Sequence, residues 1–280
     1  MSDLKDLKNR IKSVQSIIKV TNAMYLLSAS KIAKLELEQK KAKAFSEKIK
    51  ETLVEINSEN LLNKKPIESN KTLLVVFAPQ RGMAGSLPTN LYKEIKAFTK
   101  NFDQEDLYVI NIGKKLSKKI SKNYNQFLSD FSAISEKPTS VEIKTISKAI
   151  NDAVSNFKIQ KIFFAYPLYV NPMTQRPIVE QIFPYNKDET IQIKSEPVKY
   201  SIEPNQKLVF ENLIKLHIEN SIFSKELETA LSEHSARMVA MKSARDNATQ
   251  LKEFLNMEYN KERQKIITEE IIEINSGATL

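Results

Sequence analysis

LKDLKNRIKSVQSIIKVTNAMYLLSASKIAKLELEQKKAKAFSEKIKETLVEI, residues 4–56, decides how the rest of the chain is read. Followed in alternating steps of three and four, it gives Leu4, Leu7, Ile11, Val14, Ile18, Thr21, Tyr25, Ser28, Ile32, Leu35, Gln39, Ala42, Ser46, Ile49, Leu53 and Ile56, and twelve of these sixteen positions are apolar. A repeat near 3.5 residues is the signature of a coiled-coil seam. No proline or glycine interrupts it. All ten prolines lie between Pro66 and Pro204, together with Gly82, Gly85 and Gly113, which leaves only Gly277 outside. Proline costs ~3 kcal/mol and glycine ~1 kcal/mol in a helix interior, so flanks lacking both are permissive for long helices.

The last flank carries a matching stripe: Leu213, Leu216, Phe223, Leu227, Leu231, Met238, Met241, Ala248, Leu251, Leu255, Tyr259, Ile267, Ile271 and Ile274. Its frequent four-residue steps bring the period nearer 3.6 and predict a straighter helix. Ala236, Ala240, Ala244 and Ala248 leave room for a partner helix to approach. One helix over 207–276 would run on the order of 100 Å. It could not bury its stripe alone, and the first flank is its natural partner. A compact middle segment returns the chain to where it left, so the pair is expected to be antiparallel.

That middle segment reads as α/β. KTLLVVFA (Lys71–Ala78), DLYVINI (Asp106–Ile112), Ile159–Val170 and Pro177–Phe183 read as strands, and Thr190–Ser201 as a further edge strand. Helices are expected near Asn90–Lys100, just after Gly113, and over Pro138–Phe157. The alternation predicts a small, partly parallel, Rossmann-like sheet between helices. The expected division is 1–65 as the first shaft helix, 66–204 as the central α/β domain, and 205–280 as the second shaft helix. The fold class is α/β with a long antiparallel coiled coil.

Charge is distributed unevenly. The formal net charge is +9. By count it splits into +6 for residues 1–65, +5 for 66–204 and −2 for 205–280. Between Lys8 and Lys34 six cations occur without an acid. Such a stretch suits an acidic protein partner, nucleic acid, or a solvated helix face. The aromatic platforms of single-strand binders are missing from it. The absence of cysteine excludes disulfides, thiolate chemistry and Cys-ligated metals. No run of about 18 apolar residues predicts a membrane span, and the opening MSDLKDLKNR reads as mature protein.

Catalytic constellations are not found. RGMAGSL, residues 81–87, follows a strand and could cradle a phosphate, but it lacks the GK[ST] ending of a P-loop. We read it as a tight strand-to-helix turn. His217 and His234 have no metal-ligand spacing and are expected on a helix surface or seam, and Glu269–Glu270 as solvated helix charges. No enzyme activity, cofactor, metal or small-molecule substrate is expected.

The letters at both ends resemble the γ subunit of F-type ATP synthases. SVQSIIKVTNAMYLLSASKIAK (13–34) is similar to that family's N-terminal helix. HSARMVAMKSARDNATQL (234–251) and EYNKERQKIITEEIIEINSGA (258–278) are similar to its C-terminal helix. VVFAPQRGMAGSLPTNL (75–91) and VNPMTQRPIVEQIFP (170–184) resemble segments of its central domain. The sequence departs from the pattern at Ser86 and Pro88 in the glycine turn, at Arg245 where threonine is common, and at Tyr25 where an acid or polar residue is usual.

The resemblance implies a non-catalytic rotor shaft at the cytoplasmic face of the cell membrane. Its implied partners are an α3β3 catalytic ring, an ε subunit and a membrane c-ring, with no nucleic acid among them. By the same resemblance Arg263, Gln264 and Thr268 match the segment that engages a catch loop of one β subunit. Met24, Arg237, Lys19 and Lys31 match the region near the β levers. Two other readings remain open: the shaft of an F1-like ATPase uncoupled from a proton ring, and a basic coiled-coil module binding nucleic acid. A shaft depends on helix continuity. Ala240→Pro, which removes a backbone donor and clashes with the preceding turn, should abolish assembly or ATP-driven rotation; normal rotation in a single-molecule assay would refute a continuous second helix.

Overall fold

The computed structural model describes residues 2–56, 70–183, 203 and 205–277. Two helices bracket the fold: α1 (Ser2–Ile56, 55 residues) and α5 (Gln206–Gly277, 72 residues). Between them run β1 (Thr72–Phe77), α2 (Leu87–Thr99), β2 (Leu107–Ile112), α3 (Lys114–Asn123), β3 (Gln126–Phe131), α4 (Ser140–Phe157), β4 (Lys161–Asn171) and β5 (Thr174–Phe183). The chain divides into two compact units, Met1–Ala29 with Arg237–Leu280, and Ser30–Ala236.

In the first unit α1 and α5 pack around Val14, Ala248 and Leu255, with Leu7, Ile11 and Ile18 against them. The pairing is antiparallel, since Asn22 meets Arg245 while Val14 lies with residues further along α5. Every fully buried residue described in α1 falls on the expected seam. Six of them, Val14, Thr21, Ser28, Leu35, Ala42 and Ile49, are spaced by seven, and Ile32 is the other. On α5, Met241, Ala248 and Leu255 repeat that spacing. Leu216, Leu251, Ile267, Ile271 and Ile274 of the expected stripe are exposed.

The second unit is a three-layer sandwich. Its five strands lie in the order β3-β2-β1-β4-β5, parallel except for the β4–β5 hairpin. Alternate side chains of β1 face opposite ways. Leu73, Val75 and Phe77 pack with Ile146 and Ile150 of α4 and Ile218 and Ile222 of α5. Leu74 and Val76 pack with Leu91 and Ile95 of α2 and Leu116 and Ile120 of α3.

Local chemistry shifts several expected boundaries. α2 starts at Leu87 rather than Asn90, because Pro88 fits the first helical turn, where its missing N–H costs nothing. α4 starts at Ser140, after a capping box in which Thr139 and Glu142 satisfy each other's backbone amides. β5 starts at Thr174, closing a two-residue turn on Asn171 and placing Pro177 opposite Pro167. β3 was not anticipated. It is a half-buried edge strand whose Asp130 accepts from Asn111 Nδ2 at 2.8 Å and Ser117 Oγ at 2.6 Å. The strand expected at Thr190–Ser201 lies outside the described residues.

Gly113 is fixed by geometry. Its φ is +96°, and a Cβ there would sit 1.9 Å from the carbonyl oxygen of Ala78. Gly113→Ala should therefore cost about 3 kcal/mol or more, visible as a large fall in the midpoint of chemical denaturation; a loss below about 1 kcal/mol would mean the close approach of β1 is not rigid.

Candidate functional site

Within the second unit, α5 is fastened to the sheet by polar contacts. Glu226 through Ser235 are all buried, although they include three glutamates, a histidine and two serines. Burying polar groups is costly unless they are partnered, and Glu226 Oε2 within this run has no hydrogen bond among the described residues. The Glu233 carboxylate accepts from the backbone amides of Gln80 at 2.6 Å and Arg81 at 3.1 Å, at the C-terminal end of β1. The turn that could have cradled a phosphate therefore holds an internal carboxylate. The turn takes a left-handed backbone at Met83 (φ 61°) and Gly85 (φ 56°), which the glycine adopts without strain. Ser232 Oγ donates to the carbonyl of Pro167 at 2.8 Å, where β4 has run past its pairing with β1.

Lys225 completes the fastening. Its Nζ lies 2.7 Å from Glu180 Oε2 and 2.6 Å from Tyr166 Oη, over the Tyr166 ring. Tyr166 Oη also donates to Glu180 at 2.7 Å. A cleft of about 450 Å³ opens beside these residues, between α5, the β4–β5 hairpin and residues 36–47 of α1. At its wall Tyr169 donates to Glu36 Oε1 at 2.7 Å, and burial followed by that carboxylate pushes its phenol up to about 12.

α1 is tied in through Glu136, on the loop between β3 and α4. This carboxylate takes the ammonium of Lys31, the guanidinium of Arg81 at 3.2 Å and the ring of His234 at 3.3 Å. Burial pushes Glu136 up, but the Lys31 hydrogen bond and the His234 charge hold it net below the usual carboxylate range. Glu228 moves the other way: burial raises it against the opposing pull of Lys225. Glu226 is the extreme. Its burial, followed by the charges of Glu233, Glu142 and Glu136, lifts it to about 8.

The residues singled out from sequence fall into different settings. Lys31 is engaged by Glu136 in the second unit. In the first unit Lys19 is exposed, Met24 half-buried and Arg237 buried. Arg263, Gln264 and Thr268 are exposed on α5, where Thr268 Oγ1 donates to its own helix at Gln264 O, 2.8 Å away. Arg263 shares a helical row with Ile267, Ile271 and Ile274, which are 41%, 59% and 72% exposed. Glu269 and Glu270 are exposed, as expected. His217 and His234 are both buried, at 6% and 3%.

Sequence reasoning missed Glu226, Glu228, Ser232 and Glu233 because polar letters on a helix read as solvent-facing. The available signal was the run ALSEHSA, whose small residues allow packing on every side. The departures Tyr25 and Arg245 meet in the first unit, with the guanidinium 5.4 Å from the ring centroid and 3.1 Å from Asn22 Oδ1.

A family model described as ATP synthase matches residues 3–279. An ATP synthase gamma chain of Haemophilus influenzae is 32% identical over 291 residues, covering 99% of each chain. One from Cupriavidus pinatubonensis is 31% identical over 288 residues, again covering 99% of each. Among solved structures, a chain of the Euglena gracilis mitochondrial ATP synthase OSCP/F1/c-ring aligns with TM-score 0.66 at 16% identity, covering 99% of this chain and 94% of that one. A chain of the Tetrahymena thermophila mitochondrial ATP synthase central stalk/c-ring aligns with TM-score 0.62 at 18% identity, covering 80% and 99%.

Glu226 generates a pH prediction. Its folded value near 8 exceeds the ordinary 4.5. Nothing is lost below pH 4.5, and stability falls as pH rises from there to about 8. The penalty is about 1.4 kcal/mol for each pH unit traversed. Glu226→Gln should leave the melting temperature near that of wild type at pH 4.5 and raise it progressively toward pH 8. An equal effect at both pH values would show that Glu226 is ionised in the fold.

Proposed function

This chain belongs to the ATP synthase gamma-chain family, and from that premise we propose that it works as the turning shaft of a rotary F1 ATPase, carrying rotation between a membrane c-ring and a catalytic α3β3 ring. A gamma chain is a non-catalytic stalk subunit, so its chemistry is mechanical: it must hold its shape while loaded and present an asymmetric surface to each catalytic site in turn. No helix among the described residues is long and apolar enough to cross a membrane. We assign the chain a peripheral position at the cytoplasmic face of the cell membrane, with an ε subunit as a further rotor partner.

One observation carries this reading above the others. Ile267, Ile271 and Ile274 are exposed in a row on the uninterrupted α5, in line with Arg263. A contiguous apolar row costs free energy in water at roughly 25 cal/mol per Å². It is retained where a partner covers it. The catalytic ring is that partner in our reading, with the apolar row as a bearing that turns without fixed hydrogen bonds. Arg263, Gln264 and Thr268 add a polar catch for one β subunit, where a planar guanidinium can pair bidentately with a carboxylate.

The contacts to the levers of the β subunits are proposed at Met24, Lys19, Lys31 and Arg237. Lys19 offers an exposed cation, Met24 an adaptable thioether. Arg237 of the first unit is buried, and Lys31 of the second is half-buried beside Glu136. We assign residues 1–65 and 205–280 to the shaft and 66–204 to the domain that takes up torque, with residues 57–69 and 204, where the boundaries fall, outside the described residues. The fastening of α5 by Glu233, Ser232 and Lys225 supports this division of labour, since torque delivered to the sheet needs rigid links to the helix.

Arg263→Ala with Gln264→Ala removes hydrogen bonds worth about 1.5–3 kcal/mol each when charge-assisted. ATP-driven proton pumping in membrane vesicles should fall severalfold while the chain stays folded by circular dichroism. Wild-type pumping and wild-type assembly of the double variant would remove the catch assignment.

A further inference from the structure

α3 is ten residues long, and five of them are lysines: Lys114, Lys115, Lys118, Lys119 and Lys122. It contains no acid, and only Leu116 and Ile120 are buried. Beside it, α2 contributes Lys93 and Lys96, followed by Lys100 at its C-cap. All eight ammonium-bearing residues are exposed. None of them forms an ion pair with a described residue.

Helical geometry brings Lys96, Lys115, Lys119 and Lys122 toward the junction of the two helices, with Lys93, Lys100 and Lys118 on the adjoining solvent face and Lys114 turned toward the side of Ser117. On α2 Lys96 adjoins Tyr92 on the side that meets α3, Lys93 and Lys100 point to solvent opposite the buried row of Leu91 and Ile95, and Glu94 lies on the far flank of that row. On α3 the side carrying Ser117, which bonds Asp130, lies away from Lys115, Lys119 and Lys122. Tyr92 marks the junction: Lys96 and Lys119 approach its ring from the two helices, at 5.8 Å and 5.4 Å from the centroid. Lys115 extends the patch to the β1–α2 turn, where its Nζ would lie 3.2 Å from a Cβ at Gly82.

We propose that this α2–α3 lysine face is a docking surface for anionic lipid headgroups. It rests on the residues of α2 and α3 alone, and only its test uses the assembly that the shaft reading implies. Like charges with no ion-pair partner among the described residues repel one another, so a face of this kind is favoured by a ligand that supplies many negative charges at once. A protein partner is disfavoured by composition, because protein interfaces deplete lysine and centre on apolar or aromatic anchors. No large apolar side chain is exposed on either helix. Single-stranded nucleic acid calls for free aromatic faces, whereas Tyr92 is flanked by two ammonium groups and the hydroxyl of Tyr124 is tied to Thr99 between the two helices. A fluid array of phosphates requires neither anchor nor stacking platform; it needs clustered lysines within a Debye length of the surface.

The test is sedimentation of the soluble ATPase complex carrying this chain with vesicles of phosphatidylcholine alone or mixed with phosphatidylglycerol. Retention is expected only with phosphatidylglycerol and at low salt. The variant Lys96→Gln/Lys115→Gln/Lys118→Gln/Lys122→Gln should reduce it about tenfold or more. A control, Lys144→Gln/Lys148→Gln/Lys161→Gln/Lys215→Gln, carries the same charge change on exposed positions elsewhere and should retain binding. Circular dichroism of both variants checks that they fold. Equal retention by wild type and the α2–α3 variant, equal loss in the control, or equal binding to neutral vesicles would each overturn the proposal. So would the absence of vesicle binding when a labelled oligonucleotide binds and is released by the same four substitutions.

Discussion

A carboxylate held by two backbone amides anchors the second unit. Glu233 of α5 reaches the amides of Gln80 and Arg81, at the point where β1 turns toward α2. Open parallel sheets present a crevice at the carboxyl ends of their strands, where chain direction reverses and other α/β proteins bind ligands. Here the strand order reverses beside β1, since β2 and β4 lie on its two sides. The crevice is filled from within. An anion-binding turn has become a mechanical fastening, and a long helix is fixed to the sheet where the backbone offers its best donors.

The remaining contacts in that unit extend the same principle. Ser232 takes a carbonyl left over where β4 outruns β1, and Lys225 secures the β4–β5 hairpin through Glu180 and Tyr166. Glu136 binds Lys31 of α1 and His234 of α5 to one loop. The arrangement has a cost, concentrated at Glu226, whose burial among other carboxylates raises it to about 8. A buried charged network is weak evidence for added stability, since desolvation offsets much of the Coulomb gain. Its value lies in geometry: directional bonds resist twisting in a way that a greasy interface does not.

The seam, the strand–helix alternation and the long uninterrupted flanks were legible because they rest on periodicity and on where proline and glycine can sit. All of the fully buried positions described in α1 follow from spacing alone. The buried polar run of α5 was not legible, because its partners come from Gln80, Arg81, Pro167 and Glu136, far away in sequence. Edge strand β3 escaped for a related reason. Asp130 and Ser129 look like loop residues until Asn111 and Ser117 supply partners for the carboxylate. The candidate contact residues were readable only by resemblance. Arg263 and Gln264 make no contact inside the described fold that would distinguish them from ordinary surface residues of a helix. Tyr25 and Arg245 show what comparison of letters misses: two departures from the family pattern are adjacent in space and pair as ring and guanidinium.

A heptad seam has an ambiguity that these polar contacts resolve. Val14, Thr21, Ser28, Leu35, Ala42 and Ile49 repeat every seven residues, as do Met241, Ala248 and Leu255. A shift of one helix by seven positions would restore a similar pattern of large and small side chains, at modest cost in burial. Polar groups in a coiled coil are known for setting register at the expense of stability. On α5, a slip that brings Val239 and Ala240 to the heights of Ser232 and Glu233 leaves both hydrogen-bonding positions empty, and the opposite slip, which brings Lys225 and Glu226 there, takes Lys225 away from Glu180 and Tyr166. Apolar spacing therefore makes the two helices adhere, while the buried carboxylate and hydroxyl fix α5 against the sheet at a single height. A shaft that transmits torque requires both properties, and in this chain they come from different residues.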